Sequence, residues 1–409
     1  MKSARGTFVL ANLVRTVRIA IALGLCAVLG ACATGSLRQV VPAELADQAR
    51  VVGVQDENIR FWGDEPPKNL VKLAKEFRRQ QDRASRGNSR RNPVQHMLAI
   101  SGGGSDGAFG AGLLNGWSQA GNRPRFTVVT GVSTGALMAP FAYLGSRYDH
   151  VLKELYTKYA TKDILRPTVL AGLIGGGSAV GSSEPLAELI KKYVTRRLMR
   201  KIAAEHLKGR RLLVGTTNLD AERPVIWNMG LIATQGTPRA LELMRSVLLA
   251  SASIPGVFPP VLLDVAVDGK VRQEMHVDGG TTDNAILLPI QTNIRSLERA
   301  GRLRRARLKL YVIVNSHTNP EWENVKSSTV AIAGRSITTL IKQQTMGDVL
   351  KLYGFARRNK IDFNMATIPP SFKVRSEEPF DRNYMTKLYR VGERLGRAGY
   401  KWQKRPILR

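Results

Sequence analysis

The sequence predicts an α/β domain with a mostly parallel central sheet flanked by helices. Three observations lead there. From residue 94 onward, short β-branched or aliphatic runs alternate with longer helical patterns, as in strands joined by crossover helices. Some of these runs, such as Leu308-Lys309-Leu310-Tyr311-Val312-Ile313-Val314, are nearly continuous in apolar residues, as strands covered on both faces are. A hydrophobic content of 43% over 409 residues is enough for a large core without cross-links.

The first 24 residues carry Lys2, Arg5, Arg15 and Arg18 and no acid, and Ile19 to Ala31 is apolar apart from its glycines. A bilayer span takes about twenty apolar residues, so residues 1–31 read as a secretory leader. The leader ends in Leu29-Gly30-Ala31-Cys32, which resembles the lipobox of bacterial lipoproteins. The resemblance makes Cys32 the lipidated first residue of the mature chain and implies a bacterial cell-envelope location, at the outer membrane or periplasmic face. The other cysteine, Cys26, lies inside the leader, so no internal disulfide is expected.

Residues 32–93 read as a tether with one helix at roughly 67 to 85, and the main domain as 94–320. His96-Met97-Leu98-Ala99-Ile100 is a buried strand feeding a glycine loop, and Ala108 to Ala120 a helix. Arg125-Phe126-Thr127-Val128-Val129-Thr130 is a second strand, followed by a helix over Ala136 to Leu144. Gly175-Gly176-Gly177-Ser178 reads as a flexible loop, and Ser182-Ser183-Glu184-Pro185 as a helix start running to about Ile202. Arg211 to Asn218 and Pro224 to Asn228 read as adjacent strands, Leu241 to Ala252 as a helix, and Leu308 to Asn315 as a later strand. Residues 321–409 form a helical extension packed on the main domain, with helices over Ser327 to Asn359 and Asp381 to Arg397.

The formal charge is +30. Removing the leader takes away four of those charges, leaving a surface drawn to anionic partners such as acidic phospholipid headgroups. The basic residues are dispersed, with no nucleic-acid module around them, so no nucleic acid is expected. The histidines are scattered and no E-x-x-H or C-x-x-C arrangement occurs, so neither a metal nor another cofactor is expected. The oligomeric state is left open.

Two stretches carry the chemistry. Gly131-Val132-Ser133-Thr134-Gly135 is a G-x-S-x-G pentapeptide between a strand and a helix, the context in which a serine hydroxyl sits exposed on a strained elbow. Ser101-Gly102-Gly103-Gly104-Ser105-Asp106-Gly107 follows a strand and opens a helix, so its amides can converge on an anion. Gly102-x-Gly104-x-x-Gly107 also fits a dinucleotide fingerprint, but the serine elbow follows too soon for a complete dinucleotide-binding unit. Serine needs a base. His96, His150 and His206 read as structural or solvated. His317, just past a strand, suits a triad base by position, and Asp278 in Met275-His276-Val277-Asp278-Gly279-Gly280 is the alternative. His276 reads as structural.

The order of strand, Gly102-Gly103-Gly104, Gly131-Val132-Ser133-Thr134-Gly135 and Asp278-Gly279-Gly280 resembles the patatin-like phospholipase family in motif type and order. Ser251-Ala252-Ser253-Ile254-Pro255-Gly256-Val257-Phe258-Pro259-Pro260 is similar to the A-S-x-A-x-P-x-x-F-x-P stretch that precedes the family's aspartate. The resemblance implies a three-layer patatin-like sandwich. It makes Ser133 the nucleophile, Asp278 the base of a two-residue dyad, and the Gly102, Gly103 and Gly104 amides an oxyanion hole, with Gly131 and Gly135 shaping the elbow. It also implies (phospho)lipid acyl esters as substrate. The chain departs from the family's D-G-G-G-x-R/K-G at Ser101 and Asp106, the latter expected in the first turn of the helix. Apolar segments around Val169 to Ile174 and Val257 to Leu263 are candidates for an acyl groove. Two other readings are a non-catalytic, membrane-anchored lipid-binding lipoprotein and a triad esterase using His317.

Overall fold

The apolar runs become the middle of one ten-stranded sheet. The computed structural model describes residues 38–85, 94–167, 179, 181–289, 291–303 and 305–406. The leader, Cys32, Val169 to Ile174 and the glycine run at 175–178 lie outside the described residues. The strands are β1 (Arg50–Val51), β2 (Arg60–Trp62), β3 (Val94–Ile100), β4 (Val128–Val132), β5 (Arg166–Pro167), β6 (Gly181–Ser182), β7 (Arg211–Asn218), β8 (Arg223–Asn228), β9 (Val261–Val267), β10 (Lys270–Asp278), β11 (Arg307–Val314) and β12 (Asp362–Thr367). The α-helices are α1 (Leu70–Ala84), α2 (Gly107–Gln119), α3 (Thr134–Leu144), α4 (Asp149–Thr157), α5 (Thr161–Ile164), α6 (Glu184–Tyr193), α7 (Arg196–Leu207), α8 (Met229–Thr234), α9 (Pro238–Ser251), α10 (Ile294–Ala300), α11 (Thr329–Arg358) and α12 (Arg382–Arg397).

The sheet runs β1-β9-β10-β7-β4-β3-β11-β12, with β8 also paired to β7 and β2 to β8. Its central five strands, β7, β4, β3, β11 and β12, are parallel, and β8, β9 and β10 extend it by antiparallel pairs. Alternation along the central strands feeds two cores. Leu98, Ile100, Tyr311 and Ile313 join the core on one face, whereas Met97, Ala99, Leu310 and Val312 join the other with Val349, Leu352 and Phe355 of α11. The helices therefore cover both faces, giving three layers. On the first face α2 and α12 pack backbone to backbone. A Cβ on Gly112 would lie 2.1 Å from Tyr389 O, and one on Gly116 would lie 2.0 Å from Glu393 O.

The structure changes four expectations. The segment before residue 94 does more than tether: β1 pairs with β9 and β2 with β8, filling open sheet edges. The C-terminal extension is not purely helical, since β12 pairs with β11 in parallel; its polar Asp362 and Asn364 masked the strand pattern. The helix expected from 182 to 202 is two, because Thr195 is extended and its Oγ1 caps α7 by accepting from Leu198 N at 3.3 Å. Val261 to Leu263, expected in an acyl groove, belong to β9, whose hairpin to β10 turns at Asp268 (φ 50) and Gly269 (φ 73), the left-handed pair that a two-residue hairpin requires. Among the described residues no helix is long and apolar enough to cross a membrane.

Candidate active site

Parallel strands deliver loops to one edge, and the candidate residues meet there. β3 ends into the glycine loop and β4 into Ser133, with Ile100 opposite Gly131. β7 lies beside β4, and β10 continues along that same edge of β7, past the end of β4, with Asp278 opposite Thr216, while β8 takes the other edge. Ser133 has φ 54 and ψ −126 and heads α3, the strained elbow that the pentapeptide predicts. A Cβ on Gly131 would sit 2.3 Å from Gly135 O, and one on Gly135 would sit 2.3 Å from Ile100 O, so strand and helix approach where no side chain fits.

The structure brings Asp278, and not His317, to Ser133. Asp278 is 1% exposed, and burial pushes its carboxyl up to about 7. The Ser133 hydroxyl and the Gly280 N–H pull it the other way, the latter donating to Oδ1 at 2.8 Å. Oδ2 has no full hydrogen bond, so the serine contact is a loose one, a common state for a catalytic pair before substrate arrives. A carboxylate poised near neutrality can take a proton and give it back at physiological pH. His317 faces Glu321 at 3.7 Å and stacks on Phe372. His276, on the base's own strand, is held by Thr216 Oγ1 at 3.0 Å and by Glu274 at 3.1 Å, a structural role.

The glycine loop is pinned by a pair that sequence reasoning missed. Asn315, just past β11, donates its N–H to Ser101 Oγ and its side-chain amide to Ser101 O, both at 2.9 Å, and accepts from Gly110 N at 3.1 Å. Ser101 thus works as a loop anchor. Gly102 N–H donates to Asn284 O at 3.1 Å, so one of the three expected oxyanion donors is already engaged. Among the described residues the Gly103 and Gly104 N–H groups have no partner, and they remain beside the N-terminus of α3. Asp106 sits where α2 begins and accepts from Tyr384 OH at 2.5 Å. Loss of hydration pushes its carboxyl up to about 7 as well, against the pull of Tyr384.

Ser251 ties the elbow to the sheet. Its hydroxyl accepts from Ser133 N at 3.0 Å and donates to Gly215 O at 2.6 Å, while Ser253 O accepts from Asp278 N at 2.9 Å. The Ser251 to Pro260 stretch therefore holds both Ser133 and Asp278 in place. Ser133 opens into a cavity of about 80 Å³ lined by Leu137, Phe141, Tyr156, Ile190, Leu248 and Phe258, among others. Its wall is largely apolar, as walls that receive apolar ligand groups are. Of the Val257 to Leu263 stretch, Phe258 reaches this wall.

Residues 98–291 match the family model of the patatin-like phospholipases. No curated protein matches the chain. Among solved structures, that of VipD from Legionella pneumophila is 14% identical, with 75% of this chain and 67% of that chain covered and a TM-score of 0.32, a likeness too slight to carry an argument.

Proposed function

Because residues 98–291 carry a patatin-like phospholipase domain, a domain of lipid acyl hydrolases, we propose that this protein cleaves carboxylic esters of phospholipids through a Ser133–Asp278 dyad. The observation that carries this reading is a strained serine at the mouth of an apolar cavity with one buried carboxylate against it. The acyl chain lies in the cavity and the ester carbonyl above Ser133. Asp278 accepts the serine proton as Oγ attacks, and the Gly103 and Gly104 amides meet the developing oxyanion. Asp278 returns the proton to the departing alcohol, leaving an acyl-enzyme that water resolves. In the same reading Cys32 carries a lipid anchor, and the basic surface keeps the enzyme on an anionic bilayer at the cell envelope.

The test is release of fatty acid from anionic phospholipid vesicles by the soluble chain lacking residues 1–32. Loss of release in Ser133→Ala and Asp278→Asn, with His317→Ala active, supports the dyad. Loss in His317→Ala with Asp278→Asn active favours a triad esterase. A folded parent that releases nothing from any ester tried points to a lipid-binding role.

A further inference from the structure

Two buried acceptors beside Ser133 lack hydrogen-bond partners: Asp278 Oδ2 and Asn284 Oδ1. Asn284 is 2% exposed and otherwise fully committed. Its N–H donates to Asp348 Oδ2 at 2.6 Å, its carbonyl accepts from Gly102 N at 3.1 Å, and its Nδ2 donates to Thr345 Oγ1 at 2.5 Å. Thr345 gives its own hydrogen to Ile341 O at 2.8 Å, so its oxygen is left to accept, which sets the amide with Nδ2 toward α11 and Oδ1 toward the site. A Cβ on Gly102 would lie 2.1 Å from Asn284 Oδ1 and 2.9 Å from Ser133 Cβ. One on Gly280 would lie 2.8 Å from Asn284 Oδ1 and 3.1 Å from Asp278 Oδ1. The unused acceptor thus shares the small space between nucleophile and base. A buried acceptor left without a donor is destabilising, so its presence here calls for a donor that arrives during turnover.

We propose that Asn284 Oδ1 holds the second hydrogen of the water that resolves the acyl-enzyme, an inference that rests on the serine acyl hydrolase reading. Serine has one hydroxyl hydrogen and needs one acceptor, whereas water has two, matching the two free acceptors. The water oxygen attacks the acyl carbon, one proton passes to Asp278 Oδ2, and the carbonyl electron pair moves onto the oxyanion. When the C–Oγ bond breaks, Ser133 takes the proton back from Asp278. The other hydrogen stays on the new carboxylic acid, oriented throughout by Asn284.

The experiment partitions a short p-nitrophenyl ester between water and added methanol, reading acid against methyl ester. Methanol's single hydroxyl hydrogen goes to Asp278, so its attack does not use Asn284. Asn284→Ala is expected to slow hydrolysis on the order of tenfold while methanolysis stays within about twofold, raising the methyl ester to acid ratio about tenfold. Thr345→Val, which frees the amide to turn, shifts the ratio the same way by less. A ratio unchanged in both variants overturns the proposal, as does a parallel loss of both products in Thr345→Val. Fluorophosphonate labelling of Ser133 separates the two readings. A parent that does not label refutes the nucleophile itself, whereas labelling with an unchanged ratio refutes the role of Asn284 alone.

Discussion

Replacing Asp278 with Asn should abolish turnover and make the folded protein more stable than the parent at alkaline pH. The carboxyl is raised from 3.8 in the unfolded chain to about 7 in the fold, chiefly by burial. Between those values the folded state keeps a proton that the unfolded state has lost, so the parent's stability falls as pH rises through this window. Each pKa unit is worth about 1.4 kcal/mol, so three units make the penalty at most about 4 kcal/mol above pH 7. Asn has no charge to desolvate, and its Oδ1 can keep the Gly280 N–H bond that Asp278 now makes at 2.8 Å. Urea unfolding of parent and variant from pH 4 to 9 supplies the test. The difference should be small near pH 4, grow toward pH 7 and then level off in favour of the variant. Asp106, raised for the same reason, is present in both proteins and cancels in the difference. A pH-independent difference, or a parent more stable at pH 8, would refute the claim that a buried ionised carboxylate is the base.

Other perturbations follow from the same geometry. Gly135→Ala would place its Cβ 2.3 Å from Ile100 O, and should cost about 1–3 kcal/mol in urea unfolding as the elbow is forced off the sheet. Ser251→Ala strips Ser133 N of its acceptor and Gly215 O of its donor; fluorophosphonate labelling of Ser133 should slow at least severalfold, and full-rate labelling would show that the elbow holds without it. Ile190→Trp fills the cavity wall, so the ratio of long-chain to short-chain p-nitrophenyl ester hydrolysis should drop, and an unchanged ratio would place the acyl chain elsewhere. Asp106→Asn can still accept from Tyr384, and its labelling midpoint should stay at the parent's pH, because Asp278 and not Asp106 sets it.

Much of the site was legible from local signals. Ser133 announces itself because a nucleophile elbow needs glycines at fixed offsets, and the contacts at Gly131 and Gly135 are the physical form of that need. The choice of base was not local. His317 and Asp278 both suit the chain order, and only the pairing of β10 with β7 brings Asp278 within reach of the elbow. Asn284 and Asn315 escaped notice as site residues, and Ser251 was noted only as part of a motif, because each acts through a partner more than thirty residues away, by hydrogen bonds that leave no periodic trace. The β9–β10 hairpin could have been found, since Asp268-Gly269 between alternating residues is a hairpin turn signal. β1 and β2 are two and three residues long and could not have been, because strands that short carry no period.

The central claim is that Ser133 is activated by Asp278 without a histidine, and the rate of fluorophosphonate labelling of Ser133 against pH tests it directly. The account predicts a rise with a midpoint near 7 in the parent and in His317→Ala, and no such rise in Asp278→Asn. A midpoint that vanishes with His317→Ala and persists in Asp278→Asn would contradict it.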